Sequence, residues 1–225
     1  MKINTYIDHT KLGPIVSKEE IDQLVKEAIL HKFKSVCVSP VWVNYAKSLL
    51  VSTDVLVCTV IGFPHGTHTT KVKAFETKEA VKDGADEIDM VIHVADVLAR
   101  NKTALSKDIK AVVKAAQGRT VKVIVETAYL DKKDIEYITK IVLKAGATFI
   151  KTSTGYASRG ATLEDVKIMK KIAKEDLLIK ASGGVRTKEE AIAMIDAGAN
   201  RIGTSRGVSL VSVDNKENKD ANTTY

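Results

Sequence analysis

Gly84-Ala-Asp-Glu-Ile-Asp-Met90 returns twice in this chain, as Gly146-Ala-Thr-Phe-Ile-Lys-Thr152 and as Gly198-Ala-Asn-Arg-Ile-Gly-Thr204. Each copy follows a stretch with helical periodicity and opens a short apolar run that is typical of a strand. The leading glycine suits the left-handed position that commonly ends a helix. The sequence therefore repeats a helix–turn–strand unit. The copies differ at their sixth position, which carries Asp89, Lys151 or Gly203.

The same alternation of strand and helix extends outward over the whole chain. We predict strands at 5–9, 35–39, 55–62, 87–92, 121–127, 148–152, 177–181 and 201–204. We predict helices at 18–31, 40–50, 69–83, 94–117, 131–145, 162–174 and 187–197, with a short one after Ser205. Ser17 with Glu20, and Thr187 with Glu190, have the spacing of capping boxes at two helix starts.

Eight strand–helix units in 225 residues predict an α/β fold, the (β/α)8 TIM barrel. A doubly wound open sheet is the alternative, but no Gly-x-Gly-x-x-Gly opens the first unit. We expect one catalytic domain over 1–212 and a polar, mobile tail over 213–225. The aromatic Tyr225 that ends the tail is either incidental or a flap that reaches the barrel mouth.

Composition excludes several classes of protein. A hydrophobic fraction of 44% supports a full core, and no apolar run is long enough to span a bilayer. The start at Met1 lacks the layout of a signal peptide, and Cys37 and Cys58 lie in apolar runs, as buried free thiols of a cytoplasmic protein do. The net charge is +7, but the lysines are mixed with acidic residues. That pattern indicates solvated helix faces and argues against nucleic-acid binding.

If the chain forms a barrel, the variable sixth position of the repeated phrase has a defined location in it. The three copies would form strands four, six and eight, so Asp89, Lys151 and Gly203 would share one layer near the carboxyl ends, where barrel active sites lie. Strand seven adds Lys180 and strand five adds Lys122. Charges inside a strand layer are costly unless they are paired or used. The layer is therefore predicted to be functional.

Crowded lysines have a chemical use. Two ammonium groups ~5 Å apart repel by roughly 3 kcal/mol at an effective dielectric constant of ~20. That energy corresponds to about two pKa units, enough to bring a lysine towards the ~7–8 that suits catalysis. A neutral amine can then attack a carbonyl and form a Schiff base, which serves as an electron sink without a metal. Asp89 would carry protons during this chemistry.

Glycine-rich turns follow the last three predicted strands. They are Thr154-Gly155, Gly183-Gly184 and Gly203-Thr204-Ser205. Such turns expose backbone N–H groups, and barrels often bind phosphate after strands seven and eight. Arg186 or Arg206 would add positive charge. The expected ligand is a small phosphorylated molecule.

Four segments closely resemble the deoxyribose-phosphate aldolase family: Phe149-Ile-Lys-Thr-Ser-Thr-Gly155, Lys180-Ala-Ser-Gly-Gly-Val-Arg-Thr187, Asp86-Glu-Ile-Asp-Met-Val91 and Ile7-Asp-His-Thr10. The resemblance covers about 5–210. It implies a barrel enzyme of class I, without metal or cofactor. Such an enzyme reversibly splits 2-deoxy-D-ribose 5-phosphate into acetaldehyde and D-glyceraldehyde 3-phosphate.

The resemblance also assigns residues. It places the Schiff-base lysine at Lys151, the lysine that perturbs it at Lys180 and the proton-relay aspartate at Asp89. It places phosphate contacts at Gly155, Gly183, Gly184, Gly203 and Ser205. We add Asp8, Thr152 and Lys122 as substrate contacts, and Arg206 as a phosphate contact where a small residue is expected. The family also implies a homodimer.

Other functions fit these residues less well. A metal-dependent aldolase would need clustered ligands, and only His65 and His68 are near neighbours, in a polar loop. Cys37 is interpreted as a buried or pocket-lining thiol without a catalytic role. A sugar-phosphate isomerase, a transaldolase-like transferase or a non-catalytic sugar-phosphate sensor would keep the phosphate loops but would not need both Lys151 and Lys180.

Overall fold

The computed structural model describes residues 2–212, and its eight strands close into a barrel. All neighbouring strands are parallel, and β1 pairs with β8, so the sheet has no edge. The strands are β1 Ile7–Lys11, β2 Ser35–Val38, β3 Leu56–Ile61, β4 Glu87–Val91, β5 Thr120–Ile124, β6 Phe149–Lys151, β7 Leu178–Ser182 and β8 Arg201–Thr204. The predicted (β/α)8 barrel is confirmed, and closure excludes the open-sheet alternative.

Nine α-helices lie between residues 2 and 212. They are α1 Lys18–His31, α2 Val43–Leu49, α3 Thr70–Lys82, α4 Val94–Leu98, α5 Lys102–Ala115, α6 Lys132–Ala145, α7 Leu163–Ala173, α8 Lys188–Asp196 and α9 Gly207–Val211. Both predicted capping boxes are present, at the starts of α1 and α8. None of these helices has both the length and the apolar character required to cross a lipid bilayer.

The prediction of a single helix over 94–117 is wrong. The chain forms α4 and α5 with a break between them, where Arg100 has a left-handed φ of 55°. Asn101 then caps α5, because its side-chain oxygen accepts a hydrogen bond from the N–H of Ala104 at 3.2 Å. Asparagine tolerates such a position better than a helix interior. The break comes from this local capping, which outweighs the continuous apolar periodicity.

Two strands, β1 and β5, have boundaries that differ from the prediction by two residues or more. Ile3–Tyr6 form a 3-10 turn, so β1 begins two residues later than predicted and ends at Lys11. β5 ends at Ile124, and the chain turns sharply at Glu126, whose φ is 52°. An isolated left-handed residue cannot continue a strand.

The apolar core lies between the barrel and its helices. In β4, Ile88 and Met90 belong to this core, whereas Glu87 and Asp89 contact basic side chains of other strands inside the barrel. The two sets alternate because successive strand residues point to opposite faces. The barrel therefore has an apolar outer surface under the helices and a charged lumen.

The tail at 213–225, including Tyr225, lies outside the described residues. The boundary at residue 212 and the role of Tyr225 remain predictions.

Gly66 provides a test of the fold. Its φ is 69°, and a Cβ atom there would lie 1.8 Å from the carbonyl oxygen of Ile92. Gly118 also has a left-handed φ, of 83°, but a Cβ atom there would meet nothing within 4 Å. We expect Gly118→Ala to lower the free energy of unfolding by about 1–2 kcal/mol through backbone strain alone. Gly66→Ala should lower it by clearly more, because a backbone clash is added. Urea unfolding followed by circular dichroism compares them, and equal losses would contradict the described packing of the turn after β3.

Candidate active site

Among residues 2–212, seven charged side chains meet inside the barrel, and we call them the lumen network. The cations are Lys122, Lys151, Lys180 and Arg201, and the carboxylates are Asp8, Glu87 and Asp89. All seven are buried. Each comes from an inward-facing strand position, so strands that are distant in sequence contribute to one cluster.

Asp89 is the centre of the lumen network. Its Oδ2 accepts hydrogen bonds from the Nζ of Lys151 at 2.8 Å and the Nζ of Lys180 at 2.7 Å. Its Oδ1 accepts from the Nζ of Lys122 at 2.8 Å and from the thiol of Cys58 at 3.1 Å. Burial alone would raise the pKa of Asp89, but the three ammonium groups outweigh it and hold that pKa well below its ordinary value. Asp89 is therefore ionised at neutral pH.

Lys180 is held as an ammonium ion. Its Nζ lies 2.7 Å from Oδ2 of Asp89 and 2.6 Å from Oδ2 of Asp8. The contact with Asp8 is an ion pair whose angles do not fit a hydrogen bond. Burial disfavours the charge, but the two carboxylates outweigh burial and raise the pKa of Lys180. A fixed positive charge thus lies beside Lys151, as the sequence predicted. Its stability depends on Asp8 and Asp89, whereas crowding by other lysines would oppose it.

Lys122 and Arg201 complete the pairing. Lys122 contacts Glu87 at 2.7 Å as well as Asp89, and these carboxylates raise its pKa well above the ordinary value despite burial. Arg201 bridges β1 and β4, because its guanidinium contacts Asp8 and lies 2.8 Å from Glu87. Both cations are therefore permanent charges of the lumen.

Lys151 differs from the other cations of the network. Within residues 2–212 its only ion-pair contact is with Asp89, whereas Lys122 and Lys180 each contact at least two carboxylates. Its side chain is 4% exposed, and those of the other two lysines are 0% exposed. Four cations face three carboxylates in a buried site. If Lys151 were neutral, the lumen network would hold three cations and three carboxylates, and its excess positive charge would be gone.

The carboxyl ends of β6 and β7 meet through glycines. Gly155 and Gly183 have φ values of 94° and 73°, and a Cβ atom at Gly183 would lie 3.6 Å from the Cα of Gly155. Gly160 packs so closely against Gly183 that a Cβ atom there would lie 2.2 Å from the carbonyl of Gly183. The structure thus joins two predicted phosphate loops. Gly160 was missed, although a glycine just before the helix-capping Thr162 is a visible loop signal.

The end of β8 lies beside these loops. A Cβ atom at Gly203 would meet Cε of Lys180 at 3.0 Å and Cβ of Ser182 at 3.1 Å. The predicted space at Gly203 is therefore required by its neighbours. Ser205 and Arg206 are exposed, and the N–H of Arg206 donates to the hydroxyl of Thr204 at 3.1 Å.

Three predicted substrate contacts are buried and bonded to protein. Asp8 and Lys122 belong to the lumen network, and the hydroxyl of Thr152 accepts from the N–H of Ser182 at 3.1 Å. In these positions they fix the lysines and join β6 to β7. Their contacts with substrate remain predictions.

Glu87, Arg201 and Cys58 also belong to the site, and none of them was among the predicted site residues. Glu87 lies two residues before Asp89 and Arg201 two before Gly203, so strand periodicity would have placed both on the inward face. Cys58 was predicted to be buried, and it is, but its contact with Asp89 has no local signal.

The thiols of Cys37 and Cys58 lie within 4.8 Å of each other and of an Asp89 oxygen, a spacing that a metal ion could use. The three ammonium groups on Asp89 oppose a further cation there. His65 and His68, the other candidate ligands, line different cavities.

Asp8 tests the pairing in the lumen. Burial alone would raise the pKa of Asp8, but Lys180 and Arg201 outweigh it and hold that pKa below its ordinary value. Asp8→Asn should therefore lower the free energy of unfolding at neutral pH by about 3–5 kcal/mol. The deficit should shrink below about pH 4, because the unfolded wild-type chain then takes up a proton that the folded carboxylate resists. Urea unfolding at neutral pH and at about pH 3 measures this. A deficit that is independent of pH would contradict the assigned pairing.

A model of the DeoC/LacD family aldolases matches residues 2–211. A deoxyribose-phosphate aldolase from Acholeplasma laidlawii is 67% identical over 225 residues, which cover 100% of both chains. One from Metamycoplasma arthritidis is 49% identical over 94% of this chain and 97% of its own. Among solved structures, the tetrameric deoxyribose phosphate aldolase from Aeropyrum pernix has a TM-score of 0.86 and 33% identity, over 93% of this chain and 89% of its own. The chain belongs to the DeoC/LacD family of aldolases.

Proposed function

We propose that this chain is a class I aldolase that reversibly cleaves 2-deoxy-D-ribose 5-phosphate into acetaldehyde and D-glyceraldehyde 3-phosphate. One observation carries the proposal: Lys151 and Lys180 share a single oxygen of buried Asp89, in a lumen with one more cation than carboxylates. The relatives from Acholeplasma and Metamycoplasma, both named deoxyribose-phosphate aldolase, support the substrate.

Lys151 is the nucleophile in this proposal. It has the fewest carboxylate partners of the three lumen lysines, so its neutral form removes the excess charge at the least loss of pairing. Its amine attacks the aldehyde carbon of the open-chain sugar and forms a carbinolamine. Loss of water then gives a protonated imine.

Cleavage uses that imine as the electron sink. Loss of the proton from the C3 hydroxyl breaks the C2–C3 bond, and the bonding electrons pass to the imine to form an enamine on Lys151. D-Glyceraldehyde 3-phosphate leaves. Protonation of the enamine and hydrolysis then release acetaldehyde and restore the amine.

Asp89 carries protons in these steps, and Lys180 keeps its positive charge. Because Oδ2 of Asp89 accepts a hydrogen bond from the Nζ of Lys151, this carboxylate oxygen can take a proton from the reacting nitrogen and return it to the carbinolamine hydroxyl. The Lys180 ammonium also opposes charge on Lys151 before attack. Cys58 donates to the second Asp89 oxygen and helps to orient the carboxylate.

The glycine loops supply the phosphate site. Gly155 and Gly183 lie together, and Gly184 follows. Gly203 lies near the end of β8 beside Lys180, and Ser205 follows that strand. Backbone N–H groups of such turns suit an anion. Exposed Arg206 adds a positive charge at this end of the barrel. No step of the proposed reaction requires a metal or an organic cofactor.

We also propose a cytoplasmic location and a homodimer. Cys37 and Cys58 are free, adjacent and buried thiols, as a reducing compartment allows. The tetrameric Aeropyrum relative supports self-association of this fold, and gel filtration with light scattering would give the number of subunits.

Borohydride trapping tests the proposed reaction. Wild-type protein incubated with acetaldehyde and reduced should carry one added ethyl group on Lys151, located by peptide mass spectrometry. The adduct should also form in the presence of EDTA, because the proposed reaction uses the imine and not a metal ion as its electron sink. Lys151→Leu should lose the adduct and at least about 10³-fold of the cleavage rate, as expected for loss of the covalent route.

Lys34→Leu is the matched control, since this lysine precedes β2 on the exposed surface. It should keep both adduct and activity. An isomerase or a non-catalytic sensor would give no adduct on Lys151. A folded wild-type protein without the adduct would overturn the aldolase proposal, and activity lost in EDTA and restored by a metal would overturn its metal-free chemistry.

A further inference from the structure

Glu126 is a buried acidic residue that the lumen network does not include. It follows β5, is 3% exposed and has a left-handed φ of 52°. Its Oε1 is buried and has no hydrogen-bond partner within residues 2–212. A strained backbone and an unpaired buried oxygen both cost stability, and such costs concentrate at functional sites.

The other oxygen of Glu126 binds the loop that follows β6. Oε2 accepts a hydrogen bond from the N–H of Thr154 at 3.1 Å and another from the hydroxyl of Thr154. The same hydroxyl accepts from the N–H of Tyr156 at 3.1 Å. Thr154 is therefore tied to the carboxylate directly, and Tyr156 is tied to it through the Thr154 hydroxyl. These bonds fix the direction of the peptide groups around Gly155.

The tied loop crosses the barrel mouth. The hydroxyl of Tyr156 donates to the carbonyl oxygen of Leu12 at 3.1 Å, and its ring meets Phe63 edge to face at 5.4 Å between centroids. Leu12 and Phe63 follow β1 and β3, on the far side of the mouth from β6. Glu126 thus fixes the positions of Gly155 at the predicted phosphate site and of Tyr156, which spans the opening of the barrel.

The far end of this loop is held separately. Arg159 donates to Asp165 at 2.6 Å and to the carbonyl of Thr127 at 2.6 Å. Loss of the Glu126 contacts would therefore loosen the segment around Gly155 and Tyr156 and leave the entry to α7 in place.

We propose that Glu126 is a positioning residue that holds the loop after β6 in its phosphate-binding conformation. The inference rests on the proposed aldolase function and deepens it. Glu126 acts through Thr154 and Gly155. It should affect recognition of the phosphate much more than reaction of Lys151 with an aldehyde.

The test compares phosphorylated with unphosphorylated 2-deoxyribose. Glu126→Leu should raise the KM for the phosphorylated sugar about 10- to 100-fold, the scale of lost charge-assisted hydrogen bonds and a buried N–H left unpaired. The KM for the unphosphorylated sugar should stay nearly unchanged. Glu126→Gln, which still presents an oxygen to the N–H of Thr154, should recover most of the loss.

Glu76→Gln is the matched control. Glu76 also accepts a hydrogen bond from a loop amide, that of Gly62 at 2.8 Å, but after β3. It should leave the ratio of the two KM values at the wild-type level.

Borohydride trapping with acetaldehyde separates the two proposals. Folded Glu126→Leu and Glu126→Gln should still form the Lys151 adduct. An unchanged KM ratio in Glu126→Leu would overturn the inference. If the leucine variant fails to fold, Thr154→Val reports in its place, because it removes the hydroxyl that links Glu126 to the N–H of Tyr156, and an unchanged KM ratio there would overturn the inference. Loss of the adduct in a folded variant would also overturn it, because Glu126 would then act on the lysine. Absence of the adduct in the wild type would instead overturn the aldolase function.

Discussion

The shared hydrogen bonding of three lysines to Asp89 is the constraint on which the rest of the site depends. Asp89 neutralises one charge, so Lys122, Lys151 and Lys180 can coexist only with further carboxylates, which Asp8 and Glu87 supply. Arg201 pairs with both Asp8 and Glu87, so the lumen network holds one more cation than carboxylates. The lumen network is therefore incompletely neutralised, and Lys151 is its lysine with the fewest carboxylate partners within residues 2–212.

Only a closed parallel barrel brings these groups together. Asp8 on β1 meets Arg201 on β8 because the first and last strands pair. Alternate strand residues such as Ile88, Ile150, Ile179 and Ile202 pack outward in the apolar core. Their burial favours the fold and offsets the cost of a charged interior. The loops at the carboxyl ends then surround a rigid cluster, and Glu126 extends that rigidity to the turn at Gly155.

Much of this arrangement could be predicted from the sequence. The repeated phrase placed Asp89, Lys151 and Gly203 on strands of one parity, and the period of two could have added Glu87 and Arg201. The break between α4 and α5 was missed because a single asparagine cap outweighed a long apolar period. The role of Glu126 could not be predicted, because it depends on a left-handed turn and on contacts with a loop 28 residues away. Such contacts follow from tertiary structure and have no local pattern.

The most direct test of the charge argument is the pH dependence of Lys151 trapping in the wild type and in Lys122→Met. Removal of the fully buried Lys122 leaves three cations and three carboxylates in the lumen. Asp89 should then pair with Lys151 and Lys180 alone, because one of its three ammonium partners is gone. With acetaldehyde and borohydride, adduct formation at neutral pH should be slower in the variant, and its rise with pH should move to higher pH. Identical pH profiles for the two folded proteins would contradict the account.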